Sequence, residues 1–330
     1  MTKALVKSLC LVFFCLILGA SNSFASNLPK CRFWNYVLES RCFEVKEYDG
    51  NLKYEGELKG NKFDGQGTLH YPNGEKYIGQ FKAGLRDGHG TYYFSNGQKY
   101  IGVYAADRRQ GLGTLYYPDG GKYLGYFENG KLEGRGTFYF ANGSEYRGEF
   151  KNDKFNGNGV LNSVDGSAYI GEFKEDKKHG QGTYYSPVGE EYIGLWENNQ
   201  RHGQGTLYYA NGGVYAGEFR EDKFHGRGTF HFSNGNKYTG EFRNGVFEGL
   251  GVLNFNNGSK YAGEFKDGMF EGFGTYTWPS GAKYEGQFEN GEFNGLGTSY
   301  AAHGGISKKG VWKNNSFDFS LMEIGNYALP

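Results

Sequence analysis

The sequence predicts an all-β chain: an elongated, single-layer, twisted stack of antiparallel β-hairpins with a cap at each end. Three observations predict it. From Tyr54 a Tyr recurs every 23 residues, at Tyr77, Tyr100, Tyr123, Tyr146, Tyr169, Tyr192, Tyr215, Tyr238, Tyr261 and Tyr284. Of 57 Gly, 44 fall in four fixed columns of that period. Pairs such as Asn73-Gly74, Asn96-Gly97, Asn142-Gly143 and Asn211-Gly212 separate runs rich in Tyr, Phe and Thr. Asn-Gly between β-rich runs is a hairpin signal, because tight turns need φ > 0.

Composition narrows the functional classes. Pro is only 6, which excludes collagen, where abundant Pro accompanies Gly at every third position. Phe, Tyr and Trp make up 18% of the chain, a level foreign to flexible Gly-rich linkers. Lys plus Arg and Asp plus Glu are both 36, so no whole-chain field draws the protein to nucleic acid.

Residues 1–25 read as a secretory signal peptide. Lys3 and Lys7 form its positive start, Leu9 to Ala20 its apolar run of 12 residues, and Ser23-Phe24-Ala25 a small-x-small cleavage site. The run is shorter than the roughly 20 residues of a membrane-spanning helix. The expectation is an exported protein, in a bacterial periplasm or secreted. Cleavage leaves 34 basic against 36 acidic residues and two cysteines, Cys31 and Cys42. In an oxidising compartment such a pair suggests one disulfide.

Each period reads as two strands. In Tyr77-Ile78-Gly79-Gln80-Phe81, Tyr, Gly and Phe alternate and share a face. In Gly90-Thr91-Tyr92-Tyr93-Phe94, Gly90, Tyr92 and Phe94 do the same. The G-x-G pairs, from Gly65 and Gly67 to Gly295 and Gly297, leave room for a close backbone or ring. Each Tyr or Phe is expected to lie over a Gly gap in the next hairpin. Eleven copies run without insertion. One step later the period slips by one residue, where Lys308-Lys309-Gly310-Val311-Trp312 takes the place of Tyr-x-Gly-x-aromatic.

The pattern Tyr-x-Gly-x-aromatic-x-x-Gly/Asp-x-x-x-Gly-x-Gly-Thr, over residues 54–312, closely resembles the MORN (membrane occupation and recognition nexus) repeat family. The resemblance implies an extended stack of hairpins rather than a closed barrel. With two strands about 4.8 Å wide per repeat, eleven repeats reach on the order of 100 Å. The resemblance also implies protein–protein interaction, self-association and, in some members, binding of phosphoinositides or other anionic lipids at a membrane surface.

The ends differ from the middle, as repeat arrays require. Residues 26–53 hold a degenerate capping repeat: one period back, Cys31 stands in the Tyr54 column, Cys42 in the Gly65 column, Phe33 in the Gly56 column and Glu44 in the Gly67 column. Asp49-Gly50 offers a turn one residue out of register. In residues 313–330, Phe317, Phe319 and Leu321 alternate with polar residues. This segment reads as a C-terminal cap over the last edge strand, with a docking peptide as the alternative.

Reading down the repeat locates candidate sites. Glu57, Glu149, Glu172, Glu218, Glu241 and Glu264 form an acidic column; Lys59, Lys151, Lys174, Arg220, Arg243 and Lys266 form a basic one two residues on. That spacing puts both on the strand face opposite Tyr, Gly and Phe, and the expectation is a solvated face of paired charges. His179, His202 and His225 share one column with Asp64, Asp87, Glu133, Glu248 and Glu271. Metal ligands stand about 2.1 Å from one ion, whereas successive repeats stand roughly 9.6 Å apart, so the column reads as polar loop residues rather than a metal site. Tyr93, Tyr116, Tyr139, Tyr185, Tyr208 and Tyr300 face away from the Tyr92 type. Sugar, lipid or protein contact and cross-strand packing explain them equally. Lys76, Lys99, Lys122, Lys237, Lys260 and Lys283, each before a repeat Tyr, are the candidate anion-facing residues.

No catalytic motif occurs: no G-x-S-x-G, H-E-x-x-H, Walker sequence or dinucleotide fingerprint. Every G-x-G belongs to the repeat and lacks a following helix. The sequence therefore predicts a non-catalytic exported scaffold with no cofactor and with protein partners near a membrane surface. Anionic-lipid binding and carbohydrate or cell-wall binding through the Tyr columns are the alternatives. The near-neutral mature chain offers anionic lipid little attraction, since each unpaired basic residue contributes about 1 kcal/mol.

Overall fold

The computed structural model describes residues 27–319. The expected signal peptide, residues 1–25, and the far part of the C-terminal segment with Leu321 lie outside them. The chain divides after Asp107 into two compact units. In each unit consecutive strands pair antiparallel in chain order, as a single open layer of hairpins at the predicted 23-residue spacing. The first unit runs from β1 (Arg41–Tyr48) through β2 (Leu52–Lys59) and β3 (Lys62–His70) to Lys99–Ala105. The second runs from Arg108–Tyr116 to Ser316–Phe317.

One repeat, Lys237–Arg243 followed by Val246–Asn254, shows the unit. Its two strands are joined by Asn244 and Gly245, both at positive φ (52° and 92°), the signature of a type I′ turn whose twist matches the strands. Elsewhere this turn is Ala106-Asp107, Asn152-Asp153 or Glu221-Asp222, again with both residues at positive φ. The Asn-Gly pairs singled out in the sequence make the other connection, and they work differently from expectation. Between Tyr209 and Gly213 only Gly212 has positive φ (88°). Tyr209 and Gly213 close a three-residue loop through the Tyr209 N–H to the Gly213 carbonyl (2.9 Å), and Asn211 Oδ1 accepts the Gly213 N–H (3.0 Å). Asn is there for its side-chain acceptor, not for a left-handed backbone.

All eleven repeat tyrosines are buried on one face. The register sets Gly240 beside Gly251, and Tyr238 lies across both. The ring therefore covers the glycines of its own hairpin, which corrects the expectation of a seat in the next one. Its other face carries Phe247, centroids 3.8 Å apart and 13° from parallel, while Phe265 of the following repeat meets it edge-on at 5.1 Å. Such ring pairs contribute about 0.5–1.5 kcal/mol each beyond area burial, and the edge-on pair couples neighbouring repeats. In a sheet with one covered face, this ring layer is the core.

Polar groups tie the repeats at the turns. Asp222 Oδ1 accepts the main-chain N–H of Arg201 (3.0 Å) and its Nε (3.1 Å), and the Asp222 N–H returns to the Arg201 carbonyl (3.1 Å). Asp107 clasps Arg86 in the same way. Where the turn residue is Gly245, the main-chain bond to Phe224 remains alone.

The N-terminal segment keeps half of the repeat. β1 pairs with β2 in repeat register, Glu44 opposite Gly56. Residues Phe33–Val37 instead form a short helix, α1, where a first strand would stand. The Tyr-Gly-aromatic alternation is missing there, Asn35 Oδ1 turns back onto the Arg32 N–H (2.9 Å), and Pro29 and Cys31 bond the main chain of Phe43. Cys31 and Cys42 meet, their Cα atoms 4.9 Å apart, and Cys42 is fully buried. At the other end, Ser316–Phe317 pairs with Trp312 and Lys313, Phe317 packs on Trp312 at 5.3 Å, and Phe319 is exposed.

Candidate interaction face

In each unit the repeat rings occupy one face of the sheet, which leaves the other face open. Along Lys76–Lys82 the buried Tyr77, Gly79 and Phe81 alternate with half-buried Lys76, Ile78 and Gln80, which stand on the open face.

The candidate Lys and Tyr columns, separate in the sequence, become cross-strand neighbours at several places within each unit. Lys76 pairs with Tyr93, and Tyr93 with Lys99. In the second unit Tyr116 pairs with Lys122, and Lys122 with Tyr139; Lys283 pairs with Tyr300. The ammonium groups of Lys76, Lys122 and Lys283 lie 4.8, 4.5 and 4.6 Å over the rings of Tyr93, Tyr139 and Tyr300. Tyr185 and Tyr208 flank Glu191 instead, while Lys237 stands between His231 and Asn254, and Lys260 between Asn254 and Thr277. Tyr93, Tyr116, Tyr185 and Tyr208 are 38–42% exposed, so their edges remain reachable.

The acidic column does not pair with the basic residue two positions on. Register shifts at positions such as Gly171/Glu172 leave main-chain N–H groups to satisfy. Glu172 Oε1 accepts the Gln181 N–H (2.9 Å), Glu264 Oε1 that of Phe273 (3.2 Å) and Gln80 Oε1 that of His89 (2.7 Å). These side chains mend the bulge, and the expectation of a solvated charge-paired face is corrected accordingly.

His179, His202 and His225 do not converge. His179 lies opposite Glu172 and His225 opposite Glu218, while His202 Nδ1 is 3.6 Å from Glu197. Acidic residues in the same column accept the turn N–H of the next repeat: Asp87 from Ala106, Glu133 from Asn152 and Glu271 from Asn290. His225 Nδ1 is buried without a hydrogen-bond partner. Among the described residues no group of three His, Cys, Asp or Glu could hold a metal ion.

The open face is grooved. A stripe of directly paired glycines, Gly194, Gly205, Gly217, Gly228 and Gly240, forms the floor of an open groove of about 840 Å³. Thr206, Ala216 and Thr229 wall one side, and Gln204, Glu218 and Arg227 the other. Further along, Phe273, Leu296 and Thr298 line a second groove over Gly274, Gly286 and Gly297. Leu250, Phe273 and Leu296 fill the x of G-x-G in three consecutive repeats and are 63–64% exposed. This column has no constant letter, changing from Gln66 and His89 to Leu250 and Phe273, and its only signal in the sequence is three large apolar residues in a row. The column Phe63, Arg86, Arg109, Leu132, Phe155, Lys178, Arg201, Phe224 is equally variable, mixing rings, cations and one Leu.

Solved structures similar to the chain include the TCP10 domain of Danio rerio CPAP in complex with a peptide of Danio rerio STIL, at 10% identity over 83% of this chain and 100% of that one, TM-score 0.25. They include the SAS-4 (dCPAP) TCP domain with a proline rich motif of Ana2 (dSTIL) of Drosophila melanogaster, at 15% identity, 54% and 90% coverage and TM-score 0.30. A streptogramin B lyase structure follows at 11% identity, 79% and 89% coverage and TM-score 0.14. At these scores none carries an argument about this chain. No curated protein matches the sequence. The MORN repeat model matches eleven consecutive times, from residues 54–76 to 284–304 without a gap, and the chain belongs to the MORN repeat family.

Proposed function

We propose that this protein is a non-catalytic, exported repeat scaffold that binds a partner protein along the open face of its second unit. The observation that supports the reading is the exposed row Leu250, Phe273 and Leu296 beside glycine-floored grooves. Contiguous exposed apolar rows rimmed by polar residues are characteristic of interaction sites. A floor without side chains admits the side chains of a docked segment close to the sheet. Export rests on the anatomy of residues 1–25 and the cysteine pair, and N-terminal sequencing of the protein from an envelope or secretory fraction should begin at Ser26. A photo-crosslinker at Thr275 tests the docking face in that fraction. Support is a discrete crosslinked protein that disappears when Phe273→Glu is added; an undiminished product in that variant overturns the reading.

A second reading, anionic-lipid binding, is favoured by the row Lys76, Tyr93 and Lys99 in the first unit. Salt-sensitive sedimentation with vesicles of anionic lipid, lost in Lys76→Glu, would place it first.

A further inference from the structure

In four repeats a cation, Arg86, Arg109, Lys178 or Arg201, takes the place of the ring that stacks on the repeat Tyr, and the turn residue 21 positions later sets its partner: Arg109 bonds the main chain of Gly130. Arg86 Nε bonds Asp107 (2.8 Å) and Arg201 Nε bonds Asp222 (3.1 Å). At Lys178 the corresponding residue is Asn199, a neutral amide whose Oδ1 is taken by the Lys178 main-chain N–H (2.8 Å). No carboxylate lies within 4 Å of the Lys178 ammonium among the described residues. Its nitrogen instead lies 5.2 Å from the Tyr169 ring centre, 4.3 Å from Tyr184 and 4.8 Å from Trp196. These rings come from three successive strands, Ala168–Lys174, Lys177–Tyr185 and Glu191–Glu197.

From this aromatic box and the missing carboxylate we infer that Lys178 is a nucleophilic amine site that takes aldehydes, flat apolar ones in preference. Burial pulls the Lys178 amine below the ordinary lysine range, against the opposing pull of the Asp222 and Asp165 carboxylates. Both carboxylates are engaged elsewhere, Asp222 with Arg201 and Asp165 with Ser167. The ring faces favour the ammonium, which offsets part of the burial effect. Desolvated lysines without a carboxylate partner are the ones that form Schiff bases. The free amine attacks the carbonyl carbon, a C–N bond forms, and the oxygen leaves as water. Amine and aldehyde give imine and water, with no oxidant or reductant. Tyr184, half-buried, offers ring surface to the incoming group, and Trp196 is buried behind the amine.

The test is reductive trapping on the whole protein with limiting benzaldehyde and cyanoborohydride at pH 7, with benzylation quantified at each lysine by peptide mass spectrometry. Lys178 should carry several-fold more label than Lys177, its exposed neighbour on the same strand. Asn199→Asp should remove that excess, because it restores the carboxylate found at Asp107 and Asp222. Asp occupies this turn position at Asp153, Asp176 and Asp222, so the variant keeps a fold the protein already uses. Labelling of Lys178 at or below Lys177 overturns the inference, and so does an excess that survives Asn199→Asp.

Discussion

The Tyr238 hydroxyl donates a 2.8 Å hydrogen bond to the main-chain carbonyl of Glu241, three residues along its own strand. The bond pins the ring across Gly240 and Gly251 and under Phe247, so one side chain sets the strand spacing, the bulge and the stack at once. A Cβ on Gly251 would stand 2.5 Å from the Tyr238 hydroxyl oxygen and 2.7 Å from a ring carbon. At Gly245, φ is 92° and nothing lies within 4 Å of an added Cβ.

Two glycine substitutions therefore separate two costs. Gly251→Ala displaces a fully buried ring and should lower stability by about 3 kcal/mol. Gly245→Ala meets only the left-handed backbone penalty of about 1–2 kcal/mol. Urea midpoints of the two variants measure the difference. Equal losses would mean that the ring is not seated on the glycine stripe.

Alkaline pH should unfold the array steeply. Burial raises the phenol of ten repeat tyrosines above the ordinary value near 10, that of Tyr284 to about 12. An unfolded Tyr releases its proton near pH 10 while the folded one holds it. Stability is thus complete below pH 10 and falls as pH rises above it. Circular dichroism and phenolate absorbance should change together in that range. Phenolate appearing for all tyrosines at pH 10 with the β signal intact would contradict the seating.

The turn clasp gives an inverted substitution order. Asp222→Ala removes the acceptor of the Arg201 N–H and leaves Ala at φ 66°, a loss of about 2 kcal/mol. Asp222→Gly removes the same acceptor but suits the backbone, as Gly245 does one repeat later, and should cost about 1 kcal/mol less. Thermal melts of the pair decide it; Ala at least as stable as Gly would remove the left-handed turn from the argument.

These glycine and turn positions show why the fold was legible. A 23-residue period with Gly in columns constrains backbone and ring at once, and Tyr238, Gly240 and Gly251 sit where the alternation puts them. What the columns could not carry was pairing across strands. Lys122 and Tyr139 are 17 residues apart in sequence and meet only through register. The partner of Glu172 is a main-chain N–H exposed by a bulge, and backbone donors leave no letter in the sequence. Asn211 was legible as a turn residue but not as an acceptor, since both roles favour Asn beside Gly. The apolar column Leu250, Phe273 and Leu296 differs from neighbouring repeats, and a reading that looks for sameness passes over it.

Reducing the Cys31–Cys42 link should loosen only the N-terminal end. Cys42 lies fully buried opposite Leu58, and the link ties the segment leading into α1 to β1. A short disulfide loop contributes about 2–3 kcal/mol. Hydrogen exchange should rise at Arg41–Tyr48 on reduction and stay unchanged at Lys237–Arg243, because repeat arrays transmit stability mainly to nearest neighbours. Unchanged exchange at Arg41–Tyr48 would deny the link a capping role.

Phe270 and Phe273 stand on the same strand, Met269–Thr277, and should respond oppositely. Phe270 stacks on Tyr261 at 3.8 Å and 14°, so Phe270→Ala should cost about 2–3 kcal/mol of stability by opening the ring layer. Phe273 projects from the open face with 64% of its surface exposed, so Phe273→Glu should change stability by no more than about 0.5 kcal/mol. The same Glu places a charge in the middle of the apolar row, where a docked partner would have to desolvate it. Binding should therefore fall at least tenfold, about 1.4 kcal/mol, in a variant whose melting curve overlays the parent. A partner held equally well by Phe273→Glu would move the docking site off this face, whatever the stability result for Phe270.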